Sequence, residues 1–344
     1  MSSIVTITFN PCIDVNTTVA GIRPDSKLRC STPFRQPGGG GINVARVIRR
    51  LGGDPTAVYL ASGDNGRQLT QMLQAEGIRC LVLESDATVR EDLTVMDNSS
   101  GKQYRFIMPG PTIDNKAVSR LPEIIDREED LKFLVISGSF PPGLSTDVLR
   151  QLAAQSARKG IRMVVDSSGE ALRCALSAGV YLIKPSVREL ISLSEMPGRS
   201  GTPDRPRSPE DLTETEIGSL AGQWVEGGHC EVMVVSLGAA GALLATKGRT
   251  VRIPAPYVRS ISSVGAGDSM VAGIVWSLSL GRELKDAVEY GCACGAAATI
   301  NPGTSLCYPA DVDRLMGGNA VPSKVAAPVA GSDDLFPAAL LKAK

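Results

Sequence analysis

Short runs of β-branched and other apolar residues alternate along this chain with stretches of helical periodicity. The runs at Leu134–Ile136 and Val232–Val235 are continuously apolar, which is typical of strands buried on both faces of a parallel sheet. The order therefore predicts an α/β protein with a mainly parallel central sheet between two layers of helices. The predicted strands cover residues 3–9, 56–61, 79–84, 132–137, 161–166, 180–183 and 231–236. The predicted helices cover residues 41–51, 66–76, 145–158, 170–178, 187–195, 211–226, 267–280 and 284–299.

Two regions depart from this alternation. Residues 14–35 and 88–108 alternate polar and apolar side chains with little helical period, which predicts antiparallel strands with one solvent-exposed face. We expect them to form a small sheet that covers the substrate as a lid or pairs with a second subunit. Residues 1–316 are therefore predicted to form one domain, and the Ala- and Pro-rich residues 317–344 a disordered tail.

Charge and composition exclude several classes of function. The 344 residues include 36 basic and 36 acidic side chains, so no overall field favours nucleic acid or a membrane surface. No apolar stretch reaches the roughly 18 residues that span a bilayer, and no signal peptide is recognisable. The eight cysteines lack zinc-ligand spacing, and we expect them to be reduced and mostly buried in a cytoplasmic protein.

The segment 262–269 carries the strongest chemical signal. Gly265, Ala266 and Gly267 place small residues where an apolar helix begins, so phosphate oxygens could approach bare backbone N–H groups. Asp268 follows directly and could accept the proton of a hydroxyl that attacks the phosphate. An anion cradle beside a base is the minimum equipment for phosphoryl transfer from ATP to an alcohol. The alternative is an ordinary Asp at a helix start.

A glycine-rich segment gives the second signal. The four glycines 38–41 remove every Cβ from a patch of backbone, which permits close approach of a ligand. Asn43, one turn into the next helix, offers a donor and an acceptor to a hydroxylated ligand. A flexible turn is the alternative. Asp14 follows the first strand and could bind sugar hydroxyls or stabilise a turn equally well.

Three weaker signals stay open between a ligand site and ordinary structure. Residues 236–242 contain two glycines and could be one wall of a nucleotide pocket or a tight turn. Lys184 could bind phosphate and Glu189 a water on Mg²⁺, or both could belong to a helix start. The basic residues of the predicted lid could bind a second, non-transferred phosphate or could be solvated charges.

Taken together, these segments resemble the ribokinase-like (PfkB) carbohydrate kinases over residues 3–315, and most closely the bacterial 6-phosphofructokinases of that family. Beyond the two hallmark motifs, the resemblance is carried by residues 27–30, 103–106, 108–110, 136–139 and 165–172. It implies a three-layer α/β/α sandwich with a β-sheet lid. It also implies transfer of the ATP γ-phosphoryl group to the C1 hydroxyl of fructose 6-phosphate with Mg²⁺, and a homodimer through the lid.

The resemblance also implies roles for individual residues. The catalytic positions are Asp268 as the base and Gly265, Ala266 and Gly267 as the anion hole. The positions that bind the sugar phosphate are Asp14, Gly39, Asn43, Arg90, Arg105, Ser139 and Lys27, the last near a second, inhibitory ATP. The nucleotide positions are Lys184, Ser236, Gly238, Gly241, Ser260, Ser263 and Cys292. The metal positions are Glu189 for Mg²⁺ through water, and Ser262, Val264, Ala298, Asn301 and Gly303 for K⁺.

The chain departs from the family pattern at Ser186, where the family usually has Asn, and at Ser305, where the nearest relatives carry a basic residue. The alternatives within the family are 1-phosphofructokinase and tagatose-6-phosphate kinase. Tyr104–Phe106 and Gly40 favour the 6-phosphofructokinase. Kinases of nucleosides or free sugars need no phosphate anchor such as Arg90. A sugar-phosphate sensor without activity predicts loss of the base, which this chain retains.

Overall fold

A nine-stranded sheet forms the centre of the protein, and a separate four-stranded sheet lies beside it. The computed structural model of the chain describes residues 3–194, 208–301 and 305–317. In chain order, the strands are β1 (Ile4–Thr8), β2 (Cys12–Val19), β3 (Phe34–Gly38), β4 (Thr56–Ala61), β5 (Arg79–Glu84), β6 (Arg90–Asp97), β7 (Lys102–Phe106), β8 (Phe133–Ser137), β9 (Arg162–Asp166), β10 (Val180–Ile183), β11 (Cys230–Ser236), β12 (Gly241–Thr246) and β13 (Arg249–Pro254). The helices are α1 (Gly40–Arg50), α2 (Gly63–Ala75), α3 (Leu121–Arg127), α4 (Asp147–Lys159), α5 (Gly169–Ala178), α6 (Val187–Ser194), α7 (Glu214–Glu226), α8 (Ala266–Ser279), α9 (Leu284–Thr299) and α10 (Pro309–Leu315).

The large sheet has the strand order β13-β12-β11-β10-β9-β8-β1-β4-β5, and every pair from β11 to β5 is parallel. All the predicted strands of the main body are present, and the predicted helices begin and end within three residues of the observed ones. Position 195 of one predicted helix lies outside the described residues. The antiparallel hairpin β12–β13 and the short helices α3 and α10 were not predicted.

Helices cover both faces of this sheet because successive strand side chains point to opposite sides. Val5 and Ile7 pack with α4 and α5 in one apolar cluster, whereas Ile4 packs with α8 and α9 in another. The predicted three-layer α/β/α arrangement is therefore confirmed. Because the parallel strands share one direction, their carboxyl ends meet at a single edge of the sheet, where ligands bind in open α/β folds.

The small sheet has the order β3-β2-β6-β7, and it corrects one prediction. The strands β2 and β6 pair in parallel, whereas we expected antiparallel strands throughout. The reason is topological: β2 follows β1 and β6 follows β5, so both leave the carboxyl edge of the large sheet in the same direction. The segment 20–33 has only a single bridge, between Val19 and Cys30. We call the sheet β3-β2-β6-β7 the lid.

The remaining predictions concern the ends and the thiols. Residues 318–344, most of the predicted tail, lie outside the described residues. Of the eight free cysteines, Cys30 is exposed, Cys80 is half-buried and the others are buried, as expected. Among the helices in the described ranges, none combines the length and the hydrophobicity needed to cross a bilayer.

Candidate active site

Asp268 lies in the first turn of α8 and is bound by side chains from two other elements. Its Oδ2 accepts a hydrogen bond from Asn43 Nδ2 of α1 at 2.9 Å, and its Oδ1 accepts one from Ser137 Oγ of β8 at 3.2 Å. Burial raises the pKa of Asp268 above its usual value, although the two hydrogen bonds and the charge of Lys184 oppose the rise. Two donors therefore support the ionised form of a carboxylate that is poorly hydrated.

The predicted anion hole is the turn that begins α8. Gly265 has a left-handed backbone with φ 73°, which favours glycine, and the helix starts at Ala266. A Cβ on Gly267 would lie 3.6 Å from Lys184 Nζ, so the bare backbone here faces the ammonium group directly. N–H groups at the positive end of a helix dipole, beside a cation, form an environment that stabilises added negative charge. Of these groups, the Ala266 N–H already makes a long hydrogen bond of 3.5 Å to the Ser263 carbonyl.

Lys184 is buried beside Asp166, the last residue of β9. Their Nζ and Oδ1 atoms are 3.1 Å apart. Burial raises the pKa of Asp166 to about 6 while the Lys184 charge opposes the rise. Burial alone would lower the pKa of Lys184, but the nearby carboxylates of Asp166, Glu189 and Asp268 together outweigh it, and the pKa of Lys184 is raised. Lys184 therefore carries its charge throughout the neutral range.

The glycines of the segment 38–41 are needed for close packing within the protein, whether or not a ligand also approaches them. A Cβ on Gly40 would lie 2.4 Å from Ser137 Oγ, and one on Gly41 would lie 2.4 Å from the Ile7 carbonyl oxygen. Gly39 has φ 109°. Only glycine therefore lets α1 begin against the ends of β1 and β8, which carries Asn43 to Asp268. The Oδ1 atom of Asn43 is buried and has no partner within the described residues, so it could accept a hydrogen bond from a ligand hydroxyl.

Asp14 lies in β2 at the base of the lid. Its Oδ1 accepts a hydrogen bond from Cys12 Sγ at 3.4 Å. Burial raises the pKa of Asp14; the Cys12 hydrogen bond and the charges of Arg46 and Arg105 oppose this effect, whereas the charge of Asp92 reinforces it. Arg105 is therefore within electrostatic reach of Asp14, while its own side chain is exposed.

Arg90 connects the lid to the edge of the large sheet. Its Nη1 donates to the carboxylate of Asp92 and to the Met108 carbonyl at 3.1 Å, and its Nε donates to Asn10 Oδ1 at 3.2 Å. Asn10 Nδ2 in turn donates to Ser139 Oγ at 3.0 Å. The structure thus brings Arg90 and Ser139 together through Asn10. Lys27 lies in the exposed segment 20–33.

A cavity of about 500 Å³ lies beside the start of α6. Its lining includes Ser186, Ser236, Leu237 and Gly238. Ser236 N donates to the Pro185 carbonyl at 2.9 Å, and this bond joins the two predicted nucleotide segments, 184–189 and 236–242. Within the second segment, Leu237 N donates to the Gly241 carbonyl at 2.8 Å.

Only Ser236 and Gly238 of the seven predicted nucleotide positions line this cavity within the described residues; Lys184, Gly241, Ser260, Ser263 and Cys292 do not. Ser260 and Ser263 are exposed in the segment before α8. Cys292 is buried in the apolar core around α9, where burial raises its pKa to about 12. Its thiol could contribute only apolar contact.

Glu189 and Ser186 form a reciprocal cap at the start of α6. Glu189 Oε2 accepts hydrogen bonds from Ser186 N at 2.7 Å and Ser186 Oγ at 2.9 Å, and Ser186 Oγ accepts one from Glu189 N at 3.3 Å. Ser186 therefore stabilises the helix, which is the ordinary interpretation of this motif. The carboxylates of Glu189 and Asp166 both face Lys184 and are the oxygen donors that Mg²⁺ prefers.

The residues predicted for K⁺ lie where the segment before α8 meets the end of α9. Ser262 N and Ile261 N both donate to the Thr299 carbonyl, at 3.1 and 2.7 Å. Asn301 N donates to the Ala298 carbonyl at 3.2 Å, and Val264 N donates to Ser262 Oγ at 3.3 Å. Four of the five predicted positions are therefore adjacent. Gly303 lies outside the described residues.

The profile of the pfkB family carbohydrate kinases matches residues 4–311. The chain belongs to this family. The ATP-dependent 6-phosphofructokinase isozyme 2 of Mycobacterium tuberculosis is 40% identical over 323 residues, which are 94% of this chain and 91% of that protein. The crystal structure of phosphofructokinase-2 from Escherichia coli in complex with potassium has a TM-score of 0.83 and 38% identity, and it covers 92% of this chain and 99% of its own. The same enzyme in complex with fructose-6-phosphate has a TM-score of 0.82, 38% identity and the same coverage.

Four polar residues at this pfkB-family site were not among the predicted site residues: Asn10, Asp92, Ser137 and Asp166. Ser137 and Asp166 are the last residues of two buried parallel strands. A polar residue that ends such a strand lies at the ligand-binding edge, so the position alone was a usable signal. Asp92 offers no comparable signal because it lies within a strand that alternates polar and apolar residues.

Proposed function

We propose that this chain is an ATP-dependent 6-phosphofructokinase that transfers the γ-phosphoryl group of ATP to the C1 hydroxyl of fructose 6-phosphate. The observation that carries the proposal is the placement of Asp268. Its carboxylate lies between Asn43 and Ser137, directly beside the bare turn at Gly265–Gly267. The identity to relatives named 6-phosphofructokinase supports the choice of substrate.

In the proposed reaction, the C1 oxygen attacks the γ-phosphorus while its O–H bond breaks and the proton passes to the Asp268 carboxylate. The new O–P bond forms as the bond from the γ-phosphorus to the bridging oxygen breaks, and ADP leaves with that electron pair. The N–H groups of Gly265–Gly267 and the ammonium of Lys184 stabilise the charge on the transferring oxygens.

The sugar phosphate would lie under the lid. Asp14 and Asn43 bind hydroxyl groups, with Gly39 alongside them, and the unpartnered Asn43 Oδ1 suits such a contact. Arg90, Arg105 and Ser139 bind the 6-phosphate, which two guanidinium groups can hold by charge-assisted hydrogen bonds. We place the nucleotide against Lys184 and the wall formed by Ser236, Gly238 and Gly241, with Ser260, Ser263 and Cys292 at its margin. Lys27 is the proposed contact for a second ATP.

The donor atoms of the site suit two metal ions. Glu189, through water, and Asp166 would hold Mg²⁺, which neutralises charge on the ATP phosphates when bound. The oxygen atoms of Ser262, Val264, Ala298, Asn301 and Gly303 would hold K⁺ beside the anion hole. Within the described residues, Ser186 engages only one of the two Glu189 carboxylate oxygens, which leaves Oε1 for a metal-bound water.

A substrate panel tests the proposed function. We expect release of ADP with fructose 6-phosphate to exceed that with fructose 1-phosphate or tagatose 6-phosphate by at least about tenfold in kcat/KM, because a few polar contacts can discriminate between such esters. Coupled detection of ADP with each compound at equal concentration provides the measurement. Preference for fructose 1-phosphate would indicate a 1-phosphofructokinase, and turnover of none of the three would favour a sensor.

We also propose a homodimer through the lid, with residues 1–316 as one catalytic domain. The last strand of the lid and the two residues that follow it expose Tyr104, Phe106, Ile107 and Met108, an apolar group that a partner could cover. We expect a dimer in analytical ultracentrifugation and a monomer for Phe106→Glu, because a charge there would be buried without a partner. Tyr257→Glu, at an aromatic residue 97% exposed elsewhere, is the control that should stay dimeric. A dimeric Phe106→Glu variant would exclude this interface.

The free thiols support a cytoplasmic location.

A further inference from the structure

Ser137 donates a hydrogen bond to the proposed base, Asp268, but it is not among the residues proposed to contact a ligand. It ends β8 and is 3% exposed, and its Oγ donates to Asp268 Oδ1 at 3.2 Å. The other carboxylate oxygen, Oδ2, accepts from Asn43. Each oxygen of the base therefore has one donor, and the two donors come from different layers of the fold.

The position of the Ser137 hydroxyl is tightly determined by its surroundings. The first turn of α1 packs so closely that a Cβ on Gly40 would lie 2.4 Å from Ser137 Oγ. The following residue is fixed from β9: Gly138 N donates to the Asp166 carbonyl at 2.9 Å, and the Gly138 carbonyl accepts from Ser167 Oγ at 2.8 Å. A hydroxyl held on a strand end between two rigid elements has little freedom to follow a moving carboxylate.

The two donors differ in what else they do. Asn43 also presents a free Oδ1 that suits a ligand hydroxyl, so its amide lies between the base and the proposed sugar. Ser137 has no such second role because the start of α1 covers it. Within the described residues, the bond to Asp268 is the one side-chain hydrogen bond of Ser137, whereas the Asn43 amide is shared between Asp268 and the proposed sugar.

We propose that Ser137 is a positioning residue for the base: its hydroxyl fixes the orientation of the Asp268 carboxylate and keeps it ionised before the sugar phosphate binds. The inference rests on the proposed phosphoryl transfer and deepens it. A donor to a carboxylate favours the charged form, so its removal adds to the effect of burial and makes the base easier to protonate.

The test is the pH dependence of kcat for Ser137→Ala. We expect the acid limb to move to higher pH by roughly one unit, with the loss of kcat greatest at low pH and with the KM for ATP changed less than about threefold. Ser277→Ala is the control. It removes a different buried serine, near the far end of α8 from Asp268, and should leave the acid limb of the kcat profile in place. An unmoved limb in Ser137→Ala would overturn the proposal.

A double variant separates positioning from general damage. In the Asp268→Asn background the ionisable carboxylate is gone, so Ser137→Ala should not lower the residual turnover further. A further loss of tenfold or more would show that Ser137 acts elsewhere and would contradict the proposal. Ser137→Cys keeps a weak donor of similar size and should give an intermediate shift, which provides a second test if the Ala variant folds poorly.

Failure of the proposed function would be distinguishable. If the wild type phosphorylates a different sugar phosphate, the same profiles are recorded with that acceptor. If it phosphorylates none, the ¹³C carboxyl signal of Asp268, assigned by its loss in Asp268→Asn, is titrated in the wild type and in Ser137→Ala. A midpoint that rises by about one unit supports the role of Ser137 without turnover, and equal midpoints reject it.

Discussion

Replacement of Asp268 by Asn is expected to lower kcat by at least ~10²-fold while ATP binds as before. The carboxamide can occupy the same space between Asn43 and Ser137, but it cannot accept the proton of the attacking hydroxyl. Steady-state kinetics with fructose 6-phosphate provide the measurement, and calorimetric titration with ATP checks binding. A variant with kcat within about fivefold of the wild type would exclude Asp268 as the base.

The same variant should not be less stable at pH 8. Burial raises the pKa of Asp268 in the folded state above its unfolded value, so the folded protein binds this proton more tightly and loses stability as pH rises through that range. Above both pKa values the ionised Asp268 therefore opposes folding, and Asn removes that cost. A thermal midpoint equal to or above that of the wild type would separate lost chemistry from lost structure, a combination typical of active-site residues.

The second large effect is expected for Lys184→Met, which should lower kcat by about 10²- to 10³-fold. Its ammonium faces the bare turn of the proposed anion hole at Gly267, where removal of a fixed charge should most weaken binding of the transferring group. Methionine keeps the volume and the apolar stem. Rapid-quench measurement of a single turnover would show whether the transfer step itself is slowed.

The ion pair with Asp166 makes this variant informative about stability as well. Loss of the ammonium removes the main influence that holds the Asp166 pKa down to about 6, so that pKa should rise further. The pKa of Asp166 in the folded state then lies still further above its unfolded value. The variant therefore loses additional stability mainly above pH 6, where Asp166 must ionise. We therefore expect a larger drop in the thermal midpoint at pH 8 than at pH 6.

Two further variants control for this effect. Asp166→Asn combined with Lys184→Met should recover stability but not activity. Lys159→Met breaks an exposed ion pair of similar length, between Lys159 of α4 and Asp126 of α3 at 3.0 Å, and should change neither the midpoint nor kcat appreciably. Normal turnover by Lys184→Met would remove Lys184 from the proposed anion site.

Much of the fold was predictable because its signals are local. Each buried strand needs apolar residues on both faces and each helix an apolar stripe, so β8 and α8 could be located within two residues from their own side chains. The hairpin β12–β13 was missed because the turn at Gly238–Gly241, which leads from β11 into β12, also fits an isolated loop. The direction of β2 relative to β6 was wrong because it depends on which strands they follow in space.

The site divides in the same way. Asp268 and the turn at Gly265–Gly267 could be proposed as a base and an anion hole from one octapeptide, in which an ordinary Asp at a helix start was the alternative. Arg90 could be named as a phosphate ligand, but its connection to Ser139 through Asn10 joins residues far apart in the chain. No periodicity in the sequence reports such a contact.

The amino-acid sequence alone predicted the layered α/β architecture and pointed to Gly265–Gly267 and Asp268 as the proposed anion hole and base, because these predictions follow from periodicity and from the chemistry of adjacent residues. What surrounds Asp268 depends on the tertiary fold. Asn43 is 225 positions from Asp268 and Ser137 is 131 positions away, and they meet it because parallel strands end at one edge. The packing of α1 against β8, possible only with glycine, then places both donors on one carboxylate.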